Sequence, residues 1–299
     1  MLGSRVLVSA ILIPSLATAF WLDARLGDTA PLLFGLCVAL ALRSTYELTR
    51  LLRTETRVPS PALTGCCNVV LIGATWLPHT PLIAPRPDSP ELLMPAFICS
   101  VLVLLLAGAL RYREPGRSMD TLGAELIIVA YVGLLLSITA QLRWVAGANA
   151  GYIVLGSLVI SAKCGDIGAY TLGRLLGRRK MVPRLSPGKT WMGGLGALAG
   201  GGLGALAWLT FATPAIVDEA TAPAWYVSLL YGALIGLTGL IGDLSESLIK
   251  RDVGVKDSAS FLPGFGGLLD LLDSVLYAGP IAWLLWHLLP LATWNGTGQ

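Results

Sequence analysis

Long apolar blocks, each bounded by charged or turn-forming residues, run the length of this chain. They fall near 5–22, 31–50, 62–83, 92–111, 121–142, 149–173, 191–212, 224–249 and 268–290. Each is close to the roughly 20 residues that an α-helix needs to cross the hydrocarbon core of a bilayer. The pattern predicts an all-α, polytopic integral membrane protein with about nine transmembrane helices. The third block is the most interrupted, by Asn68, Pro78 and His79. The chain divides into an N-terminal transmembrane region (1–90), a middle transmembrane region ending in a basic loop (91–190) and a C-terminal transmembrane region (191–299). Trp21, Trp76, Trp144, Trp225 and Trp286 fall near block ends, where indole rings suit the bilayer interface.

Composition agrees with this reading. Hydrophobic residues make up 55% and charged residues 13% of the chain, against about 25% charged in an average soluble domain. Mean hydropathy is +0.72. The net charge of +3 is too small to argue for a nucleic-acid partner, and none is expected. The five cysteines form no C-x-x-C pair, so they read as small packed hydrophobes rather than zinc ligands or disulfides. Gly and Ala crowd the second half, as in LGALAGGGLGALA at 195–207, which suits close helix packing in lipid. The first block resembles a signal peptide in outline, with Arg5 ahead of it, and is expected to be an uncleaved first span.

The cations sort by side. With a cytoplasmic N-terminus, that face takes Arg5 and four loops holding Arg43, Arg50, Arg53 and Arg57; Arg111, Arg113 and Arg117; Arg174, Arg178, Arg179, Lys180, Arg184 and Lys189; and Lys250, Arg251 and Lys256. The other face takes Arg25, Arg86 and Arg143. By the positive-inside rule this predicts a cell (inner) membrane protein with the loops 174–190 and 250–267 both cytoplasmic.

Three constellations carry chemistry. In GDLSESLIKR, Asp243, Glu246, Ser247 and Lys250 recur at helical spacing, so one face has an acidic and a basic end. Such a face suits a cation and the phosphate it binds; a solvated helix end with a Glu246–Lys250 ion pair is the plainer reading. In LLDLLDS, Asp270 and Asp273 open the last block, where carboxylates also favour the helix dipole. Between the two lies PGFGG, whose Gly266 and Gly267 permit close backbone approach to a ligand. The third stretch runs from 161 to 191: Lys163 and Asp166 lie one turn apart inside a span, and a basic loop ends in SPGKT. It is no P-loop, because Pro183 stands where that motif needs glycine. Ser186, Lys189 and Thr190 remain at a helix start, which suits either an anion or an ordinary N-cap. His79 and His287 fall on the opposite face and are not expected to act as bases.

These residues together resemble the phosphatidate cytidylyltransferase (CDP-diacylglycerol synthase) family. Its signature runs S-x-x-K-R-x4-K-D, then a small residue, an aliphatic, a turn, H-G-G and D-R-x-D. Ser247, Lys250, Arg251, Lys256, Asp257, Ala259, Leu262, Pro263, Gly266, Gly267, Asp270 and Asp273 match it in order. An upstream D-x-G-A-Y…G-R…S-P-x-K-T-W block matches through Asp166, Gly168, Ala169, Tyr170, Gly173, Arg174, Ser186, Pro187, Lys189, Thr190 and Trp191. The resemblance covers about 161–274, and three positions depart from it: Phe265 replaces His, Leu271 replaces Arg and Met192 replaces Glu.

The resemblance implies transfer of a cytidylyl group from CTP to phosphatidic acid with Mg²⁺ as cofactor. On that basis Asp243 and Asp270 are expected to hold the metal, with Asp166, Glu246 and Asp273 supporting or replacing them. Lys189, Lys250, Arg251 and Lys256 would hold phosphate oxygens, and Ser186, Thr190 and Ser247 would add hydroxyl contacts. Gly266 and Gly267 would offer backbone groups to the substrate. Phosphatidic acid would enter from the membrane lipids, and the small-residue faces are compatible with a homodimer. Two alternatives stay open at this point: a CTP-dependent kinase of a polyprenol or other lipid alcohol, and an inactive lipid-binding or transport relative.

Overall fold

A computed structural model describes residues 2–81, 89–113, 115, 118–147, 150–217, 221–255, 258–259 and 266–291. The chain is almost wholly helical, as the apolar blocks require: in lipid, a helix satisfies its own backbone hydrogen bonds. The helices are α1 (Leu2–Arg25), α2 (Pro31–Leu52), α3 (Pro61–Trp76, continued by a 3₁₀ turn at Leu77–His79), α4 (Ser89–Arg111), α5 (Ser118–Ile128), α6 (Leu135–Val145), α7 (Gly151–Leu176), α8 (Trp191–Ile216), α9 (Trp225–Asp252) and α10 (Leu269–Leu288). A π-helical turn over Val129–Leu134 joins α5 to α6, making one rod from Ser118 to Val145. Eight segments among the described residues are long and apolar enough to cross a membrane. The helix α1, over the first predicted block, is additional to these eight. The protein is therefore a polytopic, all-α membrane protein.

The chain forms two compact units, Met1–Ile138 with Asp257–Leu271, and Thr139–Lys256 with Leu272–Gln299. In the first unit, α3 packs against α2, α4 and the π turn. The Asn68 that interrupts the third apolar block is fully buried and donates to Thr45 Oγ1 at 2.7 Å. Its amide also occupies the space a side chain at Gly133 would need, so the π turn has a glycine where α3 comes closest. The start of α2 is capped from a distance: buried Asp23 accepts the Leu32 N–H at 2.6 Å. Ala30, before Pro31, takes the left-handed conformation with φ 43°.

In the second unit α7, α8 and α9 pack on one another through glycine. A methyl group on Gly196 would strike the Gly168 carbonyl, and one on Gly201 would strike the Gly232 carbonyl. The small-residue run at 195–207 thus lets α8 lie with its backbone against both neighbours. Trp208 Nε1 donates to Ile153 O at 2.9 Å across the same seam. The basic loop expected at 174–190 holds a short antiparallel hairpin, β1 (Lys180–Val182) and β2 (Ser186–Thr190), closed by Leu185 N–H to Val182 O at 3.2 Å. Three residues against a Pro- and Gly-containing five are too short to show the two-residue period of a strand.

This packing yields a first prediction. Gly196→Leu should lose about 1–3 kcal/mol by overpacking, seen as a lower melting temperature and less monodisperse protein in detergent. Gly108→Ala, where an added methyl meets nothing within 4 Å, should leave both unchanged.

Candidate functional site

The second unit gathers the charges. Asp243 and Glu246 lie three apart on α9, and Asp273 lies on the first turns of α10. One carboxylate oxygen from each comes within 4.8 Å of the others. Glu246 and Asp273 are 1% and 6% exposed, while the Asp243 side chain is 43% exposed and gives the group its open side. Three carboxylates at this distance repel, and burial strengthens the repulsion.

Three lysines answer that charge. Lys189 Nζ, from β2, lies 2.8 Å from Asp243 Oδ2 and donates to Leu240 O at 3.1 Å. Lys250 Nζ, one turn along α9, donates to Glu246 Oε2 at 2.7 Å. Lys163 Nζ, from α7, donates to Ser274 Oγ at 2.9 Å and to Asp166 Oδ2 at 3.2 Å. The Ser274 hydroxyl donates to the same Asp166 oxygen at 3.2 Å, and the Ser274 N–H donates to Asp273 Oδ1 at 2.6 Å. The arrangement alternates acid and base over four elements. A hard divalent cation suits clustered carboxylate oxygens, and lysines beside it suit phosphate oxygens.

The other expected residues fall into place around this cluster. Arg251, at the end of α9, donates to Leu185 O at 3.4 Å and to Val255 O at 3.1 Å, so it ties the hairpin turn to the helix end. Ser186 opens β2 and Ser247 faces the turn after Glu246; both are half-buried. Thr190 is buried and caps α8, its hydroxyl oxygen accepting the Gly193 N–H at 3.1 Å. The plain N-cap reading of SPGKT therefore holds at Thr190.

Asp270 belongs to the first unit. Its Oδ2 accepts the Ser258 N–H at 3.1 Å, the Ser258 hydroxyl at 2.8 Å and the Gly267 N–H at 2.7 Å. Gly266 is left-handed at φ 93°, and an added side-chain carbon there would lie 2.5 Å from that same oxygen. Lys256 and the residues 260–265, with Phe265, lie outside the described residues. Leu271 and Met192, the other two departures from the signature, are both half-buried.

Sequence reasoning missed three groups. Ser274 was hidden as a small residue after Asp273, and Ser258 as one of several polar residues in a loop. Glu47 on α2 is 2% exposed, pairs with Arg43 Nε at 3.0 Å and accepts the Leu269 N–H at 3.0 Å. Its signal was a lone carboxylate inside an apolar block, which the arginines around it masked.

Comparison with known proteins places this geometry in context. A model of the cytidylyltransferase family matches residues 3–289. The phosphatidate cytidylyltransferase of Pseudomonas aeruginosa is 34% identical over 291 residues, 96% of this chain and 97% of that protein. The phosphatidate cytidylyltransferase of Mycobacterium bovis is 35% identical over 177 residues, 59% of this chain and 54% of that protein. That of Synechocystis is 42% identical over 125 residues, 40% of this chain and 38% of that protein. The chain thus spans about half the length of the mycobacterial relative it matches.

The cap at Thr190 is open to test. Thr190→Ala should cost about 1 kcal/mol, read as a fall in melting temperature that Thr190→Ser restores.

Proposed function

This chain belongs to the cytidylyltransferase family, and on that premise we propose that it transfers the cytidylyl group of CTP to phosphatidic acid, giving CDP-diacylglycerol and pyrophosphate. The observation that carries the reading is the carboxylate triad Asp243, Glu246 and Asp273, set beside Lys189 and Lys250. A phosphate oxygen of phosphatidic acid attacks the α-phosphorus of CTP. The bond from that phosphorus to the oxygen bridging to the β-phosphate breaks, and pyrophosphate leaves with the electron pair. A phosphomonoester is largely ionised near neutral pH, so the nucleophile needs no general base. The protein's task is positioning and charge neutralisation.

The donor set fits Mg²⁺: three carboxylates offer one hard oxygen each, within 4.8 Å of one another. Asp243, Glu246 and Asp273 would hold the ion, which when bound supplies positive charge to the phosphate oxygens. Lys189 and Lys250, already turned to the carboxylates, hold triphosphate or headgroup oxygens. Asp166 keeps Lys163 and Ser274 in place beside Asp273. Arg251 fixes the hairpin against α9, with Ser186 and Ser247 lining the approach. Asp270 orders the loop ahead of α10 through its three hydrogen bonds. The cation asymmetry supports a cell-membrane location with the N-terminus and this charged end cytoplasmic, where phosphatidic acid is drawn from the inner leaflet by the basic hairpin.

The assay is pyrophosphate release by purified protein in detergent, with phosphatidic acid, Mg²⁺ and each nucleoside triphosphate in turn. Release should require both CTP and the lipid and should fall at least about a hundredfold in Asp243→Ala and Asp270→Ala. In parallel, Mn²⁺ binding followed by electron paramagnetic resonance should weaken about tenfold or more in Asp243→Asn and Asp273→Asn. CDP as the product, or normal activity in Asp243→Ala, would refute the reading.

A further inference from the structure

Glu47 is a carboxylate inside a membrane-spanning helix, 2% exposed, and the transfer chemistry above makes no use of it. Such a group is costly among apolar neighbours and marks a purpose. One of its oxygens, Oε1, lies 3.0 Å from Arg43 Nε one turn back on α2. The other, Oε2, turns to a segment more than two hundred residues away in sequence. It accepts the Leu269 N–H at 3.0 Å and lies 3.5 Å from the Ser258 hydroxyl.

Leu269 is the first residue of α10. An amide there has no partner within its own helix, and a negative charge beside it also meets the positive end of the helix dipole. The approach is close enough to dictate a neighbouring residue. A side-chain carbon at Gly267 would lie 2.5 Å from Glu47 Oε2 and would strike Ser258 Oγ. The same two residues, Ser258 and Gly267, supply all three hydrogen bonds to Asp270 Oδ2. Glu47 and Asp270 thus grip one short stretch of backbone from opposite ends, with the Ser258 hydroxyl between them.

We propose that Glu47 is a positioning residue for the transfer reaction: from α2 it holds the first amide of α10 and so fixes the helix start on which Asp270 sits. The assignment rests on the function proposed above. A span-stabilising ion pair with Arg43 would need only Oε1; the contacts of Oε2 are what the proposal explains.

The test uses the full-length protein in detergent, with Glu47→Ala, Glu47→Gln and Ser258→Ala. Glu47→Ala should lower kcat of the folded fraction about tenfold to a hundredfold, the scale of a small misplacement in a reacting geometry, while KM for CTP changes less than about threefold. Glu47→Gln keeps an oxygen that accepts the Leu269 N–H, and should stay within about threefold of the parent in kcat. Hydrogen–deuterium exchange at Leu269 and Asp270 should quicken at least about tenfold in Glu47→Ala and not in Glu47→Gln. Unchanged kcat in folded Glu47→Ala, or a loss confined to yield and melting temperature, would overturn the proposal; so would Gln behaving as Ala in both readouts. If Glu47→Ala does not fold, Ser258→Ala replaces it, with the same loss of kcat and faster exchange expected and no change overturning the proposal. A parent protein that releases no pyrophosphate with CTP would refute the reaction instead, and the exchange data would then decide Glu47 alone.

Discussion

Close backbone contact between α7, α8 and α9 is the constraint on which the second unit depends. Lys163 and Asp166 stand on α7, Lys189 and Thr190 lead into α8, and Asp243, Glu246 and Lys250 stand on α9. Ionic contacts of about 3 Å among them survive only if the three helix axes are fixed to a fraction of an ångström. Glycine seams do this by letting carbonyl groups of one helix rest against the Cα of the next. In lipid there is no hydrophobic force to draw helices together, so such packing carries more of the stability than it does in water. A side chain added at the seam would therefore be felt at the carboxylates as well as in the fold.

Charge in this protein is matched locally. Asp243 has Lys189, Glu246 has Lys250, Asp166 has Lys163, Glu47 has Arg43 and Glu125 has Arg111. Burying a lone ion would cost far more than burying a pair. Two of the buried carboxylates, Asp23 and Glu47, also cap helices that begin elsewhere in the chain, α2 and α10. A helix starting in an apolar setting cannot leave its first amides to water, and a distant carboxylate satisfies them.

Much of this was legible in the sequence. The block of apolar residues at 268–290 became α10 at Leu269–Leu288, and that at 224–249 became α9, because length and hydropathy set a span almost unaided. The i, i+3, i+7 spacing of Asp243, Glu246 and Lys250 put them on one face, as helical geometry demands. The family was legible from two ordered motifs. What stayed hidden was tertiary: that Asp273 joins Asp243 and Glu246, that Ser274 links Lys163 to Asp166, and that Glu47 reaches Leu269. No periodicity along a chain records which residue of a distant helix will face it.

The π turn at Val129–Leu134 has a bearing on how this chain can change by insertion and deletion. A π turn holds one residue more than the α-helical turn it replaces. Each residue of an α-helix advances the side-chain direction by about 100°. Removing a single residue there would restore a regular helix and rotate everything after it, carrying buried Gln141 and Arg143 toward lipid. The rod thus tolerates many substitutions on its outer face but keeps a fixed residue count between Asp120 and Thr139, a constraint of arithmetic rather than of chemistry.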